Sequence, residues 1–161
     1  MTPDETTATV SGNKAKVLHY FEEVVGRTDI ATTVRAIEEM MTPSFIDHDG
    51  PDPYNGREAL KEVVSTLMKA MSGFHIRIEL IIGERDYIAV RWRGEATHTE
   101  EVNGIHPTGR RITWTENEIY RFRDGRIAES WGEGTFSAAL AEIGLAFSSN
   151  KSGAGGRIRK S

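Results

Sequence analysis

The chain has 161 residues, 38% of them hydrophobic, and a formal net charge of −4, which suits one domain with a core of its own. Its last eleven residues carry +4, so residues 1–150 carry −8, a charge that disfavours nucleic-acid binding. The absence of cysteine excludes disulfides and thiolate chemistry, and no apolar run approaches the roughly 18 residues of a membrane span. The N-terminus has no basic region followed by an apolar stretch, so we expect no signal peptide and a cytoplasmic location.

Helical patterning dominates the first half of the chain. We expect residues 1–12 to form a flexible end, and a helix over 14–26 to stop at Gly26. A second helix is predicted to begin after Thr28 or Asp29 and to end before Pro43, because proline cannot continue a helix. The third helix has the clearest pattern, with apolar residues three and four positions apart: Leu60, Val63, Val64, Leu67, Met68 and Met71.

After Gly73 the apolar pattern changes to a period of two, which is typical of strands. It predicts four strands joined by turn-forming segments, over residues 74–82, 86–98, 111–123 and 126–134. A short helix over 137–143 is expected to stop at Gly144. Helices followed by an antiparallel meander define an α+β domain, with the helices packed on one sheet face. We place this domain over residues 13–146 and a flexible basic tail over 147–161.

The strand predicted over 111–123 has an unusual face. In TWTENEIYRF, a period of two places Trp114, Glu116, Glu118, Tyr120 and Phe122 on one side. Either the two glutamates point into water beside exposed rings, or they line a mostly apolar cavity in which acids have a chemical use. The opposite side, with Thr113, Thr115, Asn117 and Arg121, is the better solvent face and favours the cavity. Burial and mutual repulsion would then raise at least one glutamate pKa.

Several motifs, in order along the chain, carry a family resemblance: FIDHDG, NGREAL, RWRGEATH, G-x-x-PTGR, RFRDGRIAESW and a terminal L-x-x-I-G. Together they resemble the SnoaL-like polyketide cyclases of the NTF2-like superfamily over about residues 14–145. The resemblance implies an NTF2-like cone, in which N-terminal helices pack on a strongly curved antiparallel sheet that encloses a deep pocket. It also implies cofactor-free ring closure of a polyketide, in which a carboxylate removes a proton next to a carbonyl group.

One position departs from the family pattern. In the family's understood cyclases, an aspartate that acts as acid and base follows the position of Trp131, where this chain has Gly132. Glu133 comes next, but a step of one residue along a strand turns the side chain to the opposite face. Two polar pocket positions of the family match Glu116 and Glu118. The resemblance therefore implies acid–base chemistry by a different set of carboxylates.

We expect Glu116 and Glu118 to be the acid–base pair, with Asp47 as a second proton carrier. Asp47 and His48 are neighbours on an early strand, so only one of them can face inward, and either could instead cap the following loop. The expected substrate-binding residues mostly have the core as their default role: Phe21, His48, Val63, Trp92, Trp114, Tyr120 and Trp131.

His98 ends a predicted strand, where it either lines the pocket mouth or fixes a bend by hydrogen bonding. The histidines and acids match no metal-ligand spacing, and no nucleotide-binding glycine motif is present. We therefore expect no metal and no cofactor.

These features predict a cofactor-independent SnoaL-like enzyme of secondary metabolism, for example of antibiotic biosynthesis. It would be a lyase or isomerase that cyclises or rearranges a polyketide-like hydrophobic substrate. The alternatives are a SnoaL-like hydroxylase, an epoxide-opening enzyme or an isomerase, and a non-catalytic protein that binds a hydrophobic ligand. We also expect a homodimer through the outer sheet face, to which Ile81, Ile119 and Ala128 give apolar character, and neither nucleic-acid nor membrane partners.

Overall fold

The fold comes from a computed structural model, which describes residues 3–49, 56–148 and 157–160. The helices are α1 (Pro3–His19), α2 (Ile30–Met40), α3 (Arg57–Ala70) and α4 (Phe136–Ala141), and a π-helical turn (Tyr20–Val24) continues α1. The strands are β1 (Met41–Asp47), β2 (Met71–Glu84), β3 (Tyr87–His98), β4 (Arg111–Arg123), β5 (Arg126–Gly134), β6 (Leu145–Ser148) and β7 (Arg157–Lys160). None of the described helices is long and apolar enough to cross a membrane.

The first helical region is longer than its apolar pattern indicates. α1 begins at Pro3, so residues 3–12, which we expected to be a flexible end, are helical in the structure. The π-helical turn buries Tyr20, Phe21 and Val24. Gly26 follows with a φ of 73°, and a Cβ there would lie only 2.1 Å from the Cβ of Phe74. Glycine is therefore required where the chain leaves the helix.

The next two helices agree with their predictions. α2 begins directly after Asp29, whose side chain accepts a hydrogen bond of 2.7 Å from the backbone N–H of Thr32 and so caps the helix. α3 buries Val63 and Leu67 on the face that the spacing of three and four predicts. Both helices pack over the inner face of the sheet and leave the opposite sheet face uncovered.

Five strands form one curved, open sheet in the order β1-β5-β4-β3-β2. β2 to β5 are the predicted antiparallel meander, in which Val90 lies opposite Glu118 and Glu118 opposite Gly132. β1 pairs with β5 in parallel, so the sheet is mixed and our prediction of an antiparallel sheet is wrong for this pair. Tight turns force neighbouring strands to be antiparallel, whereas no turn sets the direction of β1 relative to β5.

The two faces of the sheet differ in burial. The inner face and the helices share one core, whose members include Val17, Ile37, Ile88, Trp114 and Ile127. The outer face exposes Leu80, Ile82 and Ile119. We expected Ile81 there, but the register of β2 shifts between Ile78 and Leu80, so Ile81 lies opposite Val90 and packs against the core.

A second irregularity lies in β5. The register against β4 pairs Arg121 with Glu129 and Phe122 with Ile127, so Ala128 has no opposite residue. Ala128 is buried and does not give the outer face the apolar character that we expected of it. A single extra residue in a strand is a bulge, which a period-two pattern does not reveal.

The chain beyond α4 also adopts extended structure. β6 and β7 pair antiparallel in a separate two-stranded sheet, with Leu145 opposite Lys160. Part of the segment over 147–161, which we expected to be a flexible tail, is thus β-structure, and the rest lies outside the described residues.

Candidate active site

Glu118 presents its carboxyl group to the interior from the middle of β4. The side chain is partly buried, and its Oε2 is fully buried with no hydrogen-bond partner among residues 3–49, 56–148 and 157–160. Burial raises the pKa of Glu118 well above its usual value, and the negative charges of Asp47, Asp49 and Glu116 raise it further. These effects favour the protonated carboxylic acid near neutral pH.

Asp47, at the end of β1, also faces the interior. Its Oδ1 accepts hydrogen bonds from the Ser130 hydroxyl at 3.0 Å and from the Asp49 backbone N–H at 3.2 Å. Burial and the charge of Asp49 raise the pKa of Asp47 to about 6, although those two hydrogen bonds oppose the rise. Asp47 is therefore mostly ionised at pH 7 and is a stronger base than an exposed aspartate.

Glu116 faces the same side of β4 but has a structural contact that the sequence did not indicate. Its Oε1 accepts a hydrogen bond of 2.8 Å from the backbone N–H of Phe136 and so anchors the first residue of α4. Burial raises the pKa of Glu116, the bond from Phe136 lowers it, and the charge of Asp49 raises it. A Cβ at Gly134 would lie 2.2 Å from Oε2, so the carboxyl group lies against the backbone of β5.

Aromatic rings form a continuous wall beside these acids. The distance between ring centroids is 5.0 Å for Phe21 and Trp92 and 4.8 Å for Trp114 and Phe136. Trp92 and Trp114 meet edge-on, with their ring centroids 6.3 Å apart. Tyr120 and Val63 belong to the same core, so five of the predicted substrate-binding residues are buried on the inner side.

The two tryptophans of the wall have free polar atoms. Trp92 is only 8% exposed, and its indole N–H, like that of Trp114, has no hydrogen-bond partner within the described part of the chain. The Trp92 N–H lies close enough to Glu118 to offset part of the rise in the pKa of that acid. A buried donor and a buried acid thus face each other.

His48 and Trp131, the other two predicted substrate-binding residues, lie on the outer side of the sheet. Their rings stack at 4.7 Å with an interplanar angle of 4°, and His48 Nε2 lies 3.0 Å from Glu129 Oε2. Since Asp47 faces inward, alternation along β1 turns His48 outward. Glu133 is exposed, as expected from its distance of one residue from Gly132.

His98 is fully buried and fixes the turn that follows β3. Its Nδ1 accepts a hydrogen bond of 3.3 Å from the Thr108 backbone N–H and lies 3.2 Å from the Thr108 hydroxyl. Of the two roles considered for His98, the structure thus shows the hydrogen-bonded bend.

Two residues in this region were not among the predicted site residues. Asp49 directs its carboxyl group to β5, where the backbone N–H of Gly132 donates to its Oδ1 in a short hydrogen bond. Tyr20 is buried, and burial together with the charge of Glu118 raises its pKa above the usual value, so the phenol remains a hydrogen-bond donor. Tyr20 sits in the apolar pattern of the first helix and Asp49 in the FIDHDG motif, and neither pattern singled the residue out as part of a site.

A groove of about 560 Å³ connects several of these groups. Residues of the outer face supply most of its lining, including Leu80, Ile82 and Ile119. Asp47, Asp49, Glu116 and Glu118 together form what we call the carboxyl cluster. Two of its members, Asp49 and Glu118, also line the groove. No group of three or more possible metal ligands is present in the described part of the chain.

The fold and the site define the class of protein. Helices over the inner face of a curved, open, mixed sheet, with acids on that face, form an NTF2-like α+β domain, as the motifs indicated. The sequence profile of the SnoaL-like polyketide cyclases matches residues 15–143, and the chain belongs to that family. No curated protein matches this sequence.

Solved structures agree with this fold. A proposed SnoaL-like polyketide cyclase from Jannaschia sp. CCS1 has a TM-score of 0.72 and 21% identity, covering 89% of this chain and 95% of its own. AclR, a proposed hydroxylase from Streptomyces galilaeus, has a TM-score of 0.69 and 24% identity, and the match covers 84% of this chain and 82% of AclR. IdmH, a proposed polyketide cyclase from Streptomyces antibioticus, has a TM-score of 0.65 and 23% identity, and the match covers 82% of this chain and 98% of IdmH. At these identities the likeness shows the fold alone.

Proposed function

We propose that this chain is a cofactor-independent enzyme of secondary metabolism that cyclises or rearranges a polyketide-like hydrophobic substrate by carboxyl acid–base catalysis. The observation that carries the proposal is the pair formed by Glu118 and Asp47. One is an acid whose Oε2 is buried and has no hydrogen-bond partner among the described residues, and the other is a base whose pKa is raised to about 6. Two nearby carboxyl groups with different proton affinities suit general acid–base catalysis.

The chemistry follows from these protonation states. Asp47 removes a proton from the carbon next to a carbonyl group, and the electron pair of the broken C–H bond forms an enolate. The enolate carbon then bonds to a second carbonyl carbon of the same substrate, and Glu118 donates its proton to the alkoxide oxygen that results. Proton transfer from Asp47 back to Glu118 restores both groups. The reaction therefore needs no oxidant or reductant.

Neighbouring side chains support the two proton carriers. The Tyr20 phenol and the Trp92 indole N–H are buried donors near Glu118, able to stabilise negative charge that develops on a substrate oxygen. Glu116 is held by Phe136 through one oxygen, and its charge contributes to the raised pKa of Glu118, so we assign it an assisting role. Phe21, Trp92 and Trp114 offer flat apolar surface to a polycyclic substrate, with Tyr120 and Val63 beside them.

A second candidate reaction is hydroxylation, favoured by the likeness in fold to AclR. It would use the same carboxyl groups and aromatic wall but would add oxygen to the substrate, which ring closure does not. Epoxide opening and isomerisation by the same carboxyl groups are further alternatives, as is ligand binding without catalysis. For the main proposal we retain a lyase or isomerase activity, a cytoplasmic location and a homodimer, with no metal, cofactor, nucleic-acid or membrane partner.

Proton abstraction can be tested before the natural substrate is known. Flat polycyclic ketones with α-hydrogens are incubated with the protein in D2O, and mass spectrometry follows deuterium incorporation. We expect incorporation at least about tenfold above buffer, lost in Asp47→Asn, which removes the proposed base, and kept in Glu133→Gln, whose side chain is exposed. Binding of the ketones without exchange would instead support a ligand-binding protein, and oxygenated products a hydroxylase.

A further inference from the structure

Gly132 lacks a side chain at a position that faces the carboxyl cluster. It lies opposite Glu118 in the register of β4 and β5. Its φ is not among the positive values found at other glycines, so backbone conformation does not require glycine there. A side chain at this position would instead meet two neighbouring acids, Asp49 and Glu118.

The space is filled by Asp49. A Cβ built on Gly132 would lie 2.6 Å from Asp49 Oδ2, closer than real Cβ contacts, and 3.3 Å from Asp49 Cγ, a tight contact. The same Cβ would lie 3.2 Å from Glu118 Cγ. The carboxyl group of Asp49 therefore occupies the volume into which a side chain at residue 132 would project, directly beside Glu118.

Asp49 is held in this position from two sides. The Gly132 backbone N–H donates to Asp49 Oδ1, and the Asp49 backbone N–H donates to Asp47 Oδ1 at 3.2 Å. Its charge acts on all three other acids, because it contributes to the raised pKa of Asp47, Glu116 and Glu118. The unpartnered N–H of Trp92, on a side chain more than nine-tenths buried, faces the same cluster.

We propose that Asp49 is a further acid–base group of this site: the second residue after β1 supplies, in the space above Gly132, the carboxyl group that β5 itself lacks. This inference rests on the proposed function. It also explains the glycine, since any larger residue at 132 would displace Asp49. The ligand class is unchanged, a hydrophobic carbonyl compound from which a proton is removed.

The first test moves the carboxyl group between the two positions. Asp49→Ala should lower deuterium exchange into the ketones at least about tenfold, and adding Gly132→Asp in the same chain should restore it to within about threefold of the original. Glu133→Gln, next to Gly132 but on the outer face, is the matched control and should retain full exchange. A folded Asp49→Ala/Gly132→Asp protein that stays as inactive as Asp49→Ala would overturn the proposal.

The second test does not depend on activity. Gly132→Ala should lower the melting temperature by a few degrees because its Cβ meets Asp49, and Asp49→Ala should remove most of that loss. In NMR titration, Asp49→Ala should lower the Glu118 pKa, since a negative charge disappears, and Gly132→Asp should raise it again. The placement of Asp49 would be overturned if Gly132→Ala lowered the melting temperature equally in the original chain and in Asp49→Ala. It would also be overturned if Asp49→Ala left the Glu118 pKa unchanged. Absence of exchange in the original protein would refute the proposed function, while these two measurements would still decide the placement.

Discussion

At the scale of single residues, the site depends on how burial and charge divide protons among four carboxyl groups. Glu118 has a buried carboxyl oxygen without a hydrogen-bond partner among the described residues, Asp47 accepts two hydrogen bonds, and Glu116 accepts one. Donors stabilise the ionised form and burial destabilises it, so the three groups differ in acidity although their side chains are alike. A base and an acid can therefore coexist near neutral pH.

Replacement of Glu118 by glutamine tests the acid. The amide fills the same volume without the burial penalty of a charge, so Glu118→Gln should fold and be at least as stable as the original chain. It cannot donate a proton, and turnover should fall at least tenfold, which is about 1.4 kcal/mol of transition-state stabilisation. Steady-state kinetics and thermal melting measure both effects. Full activity in Glu118→Gln would contradict our assignment, whereas Glu116→Gln should lose less because its amide oxygen can still accept from Phe136.

Asp47→Asn tests the raised pKa through stability. The folded-state pKa of about 6 lies above the usual 3.8, so between these values the folded protein holds a proton that the unfolded chain has released. This contribution to stability is therefore lost as pH rises through that window, and ionised Asp47 costs on the order of 2–3 kcal/mol above it. Asp47→Asn should raise the free energy of unfolding at pH 8 and change it little at pH 4, as urea titrations would show.

A matched control for this experiment is Glu39→Gln, which removes an exposed carboxylate from α2. It should alter stability little at either pH. If Asp47→Asn were equally neutral at pH 8, the carboxyl group of Asp47 would not be destabilised by its surroundings.

At the scale of elements, the pairing of β3 with β4 depends on a glycine under a ring. Gly94 lies opposite Trp114, and a Cβ there would lie 2.4 Å from two ring atoms of Trp114. Gly94→Ala should therefore push the indole out of its place in the aromatic wall and cost about 1–3 kcal/mol. Chemical denaturation measures the loss. Gly12→Ala on α1, where nothing lies within 4 Å, should instead stabilise the protein by roughly 0.5–1 kcal/mol.

We expect β7 to contribute little to the stability of the fold. A two-stranded ribbon is only marginally stable by itself, and β7 pairs with β6 in a sheet separate from the main one. Truncation after Ser149, which removes β7, should leave the melting temperature within a few degrees and retain activity. A larger fall would show that β7 holds β6, and with it the buried Leu145, in place.

At the scale of the whole molecule, the uncovered outer face predicts association. Leu80 and Ile82 are each 55% exposed and Ile119 is 45% exposed, on a face that also carries the ion pair of Arg91 with Glu79. Aliphatic side chains ringed by charges are typical of a protein interface, and we predict a homodimer through this face. Light scattering at tens of micromolar should give twice the mass of the chain.

A charge on that face should separate the subunits. Ile119→Glu places a carboxylate among the aliphatic side chains and should yield a folded monomer. Thr32→Glu introduces the same charge on exposed α2 and should leave the dimer intact. A monomeric original chain, or an Ile119→Glu variant of unchanged mass, would contradict the predicted interface.

Local patterns were sufficient for much of this molecule. The strands predicted over 111–123 and 126–134 have those bounds in the structure, because period two and the intervening turn are properties of neighbouring residues. The same alternation correctly turned Glu118 inward and Glu133 outward. Motif order along the chain was sufficient for the family, which the match over residues 15–143 confirms.

Tertiary structure decided the rest, since it depends on contacts between distant parts of the chain. The parallel pairing of β1, the register shift that turns Ile81 inward and the bond from Phe136 to Glu116 have no local pattern. Asp49 is the clearest case: 83 positions separate it from Gly132, and only folding brings its carboxyl group into the space that the glycine leaves. A sequence shows which side chains are present, but the volume open to each is a property of the folded chain.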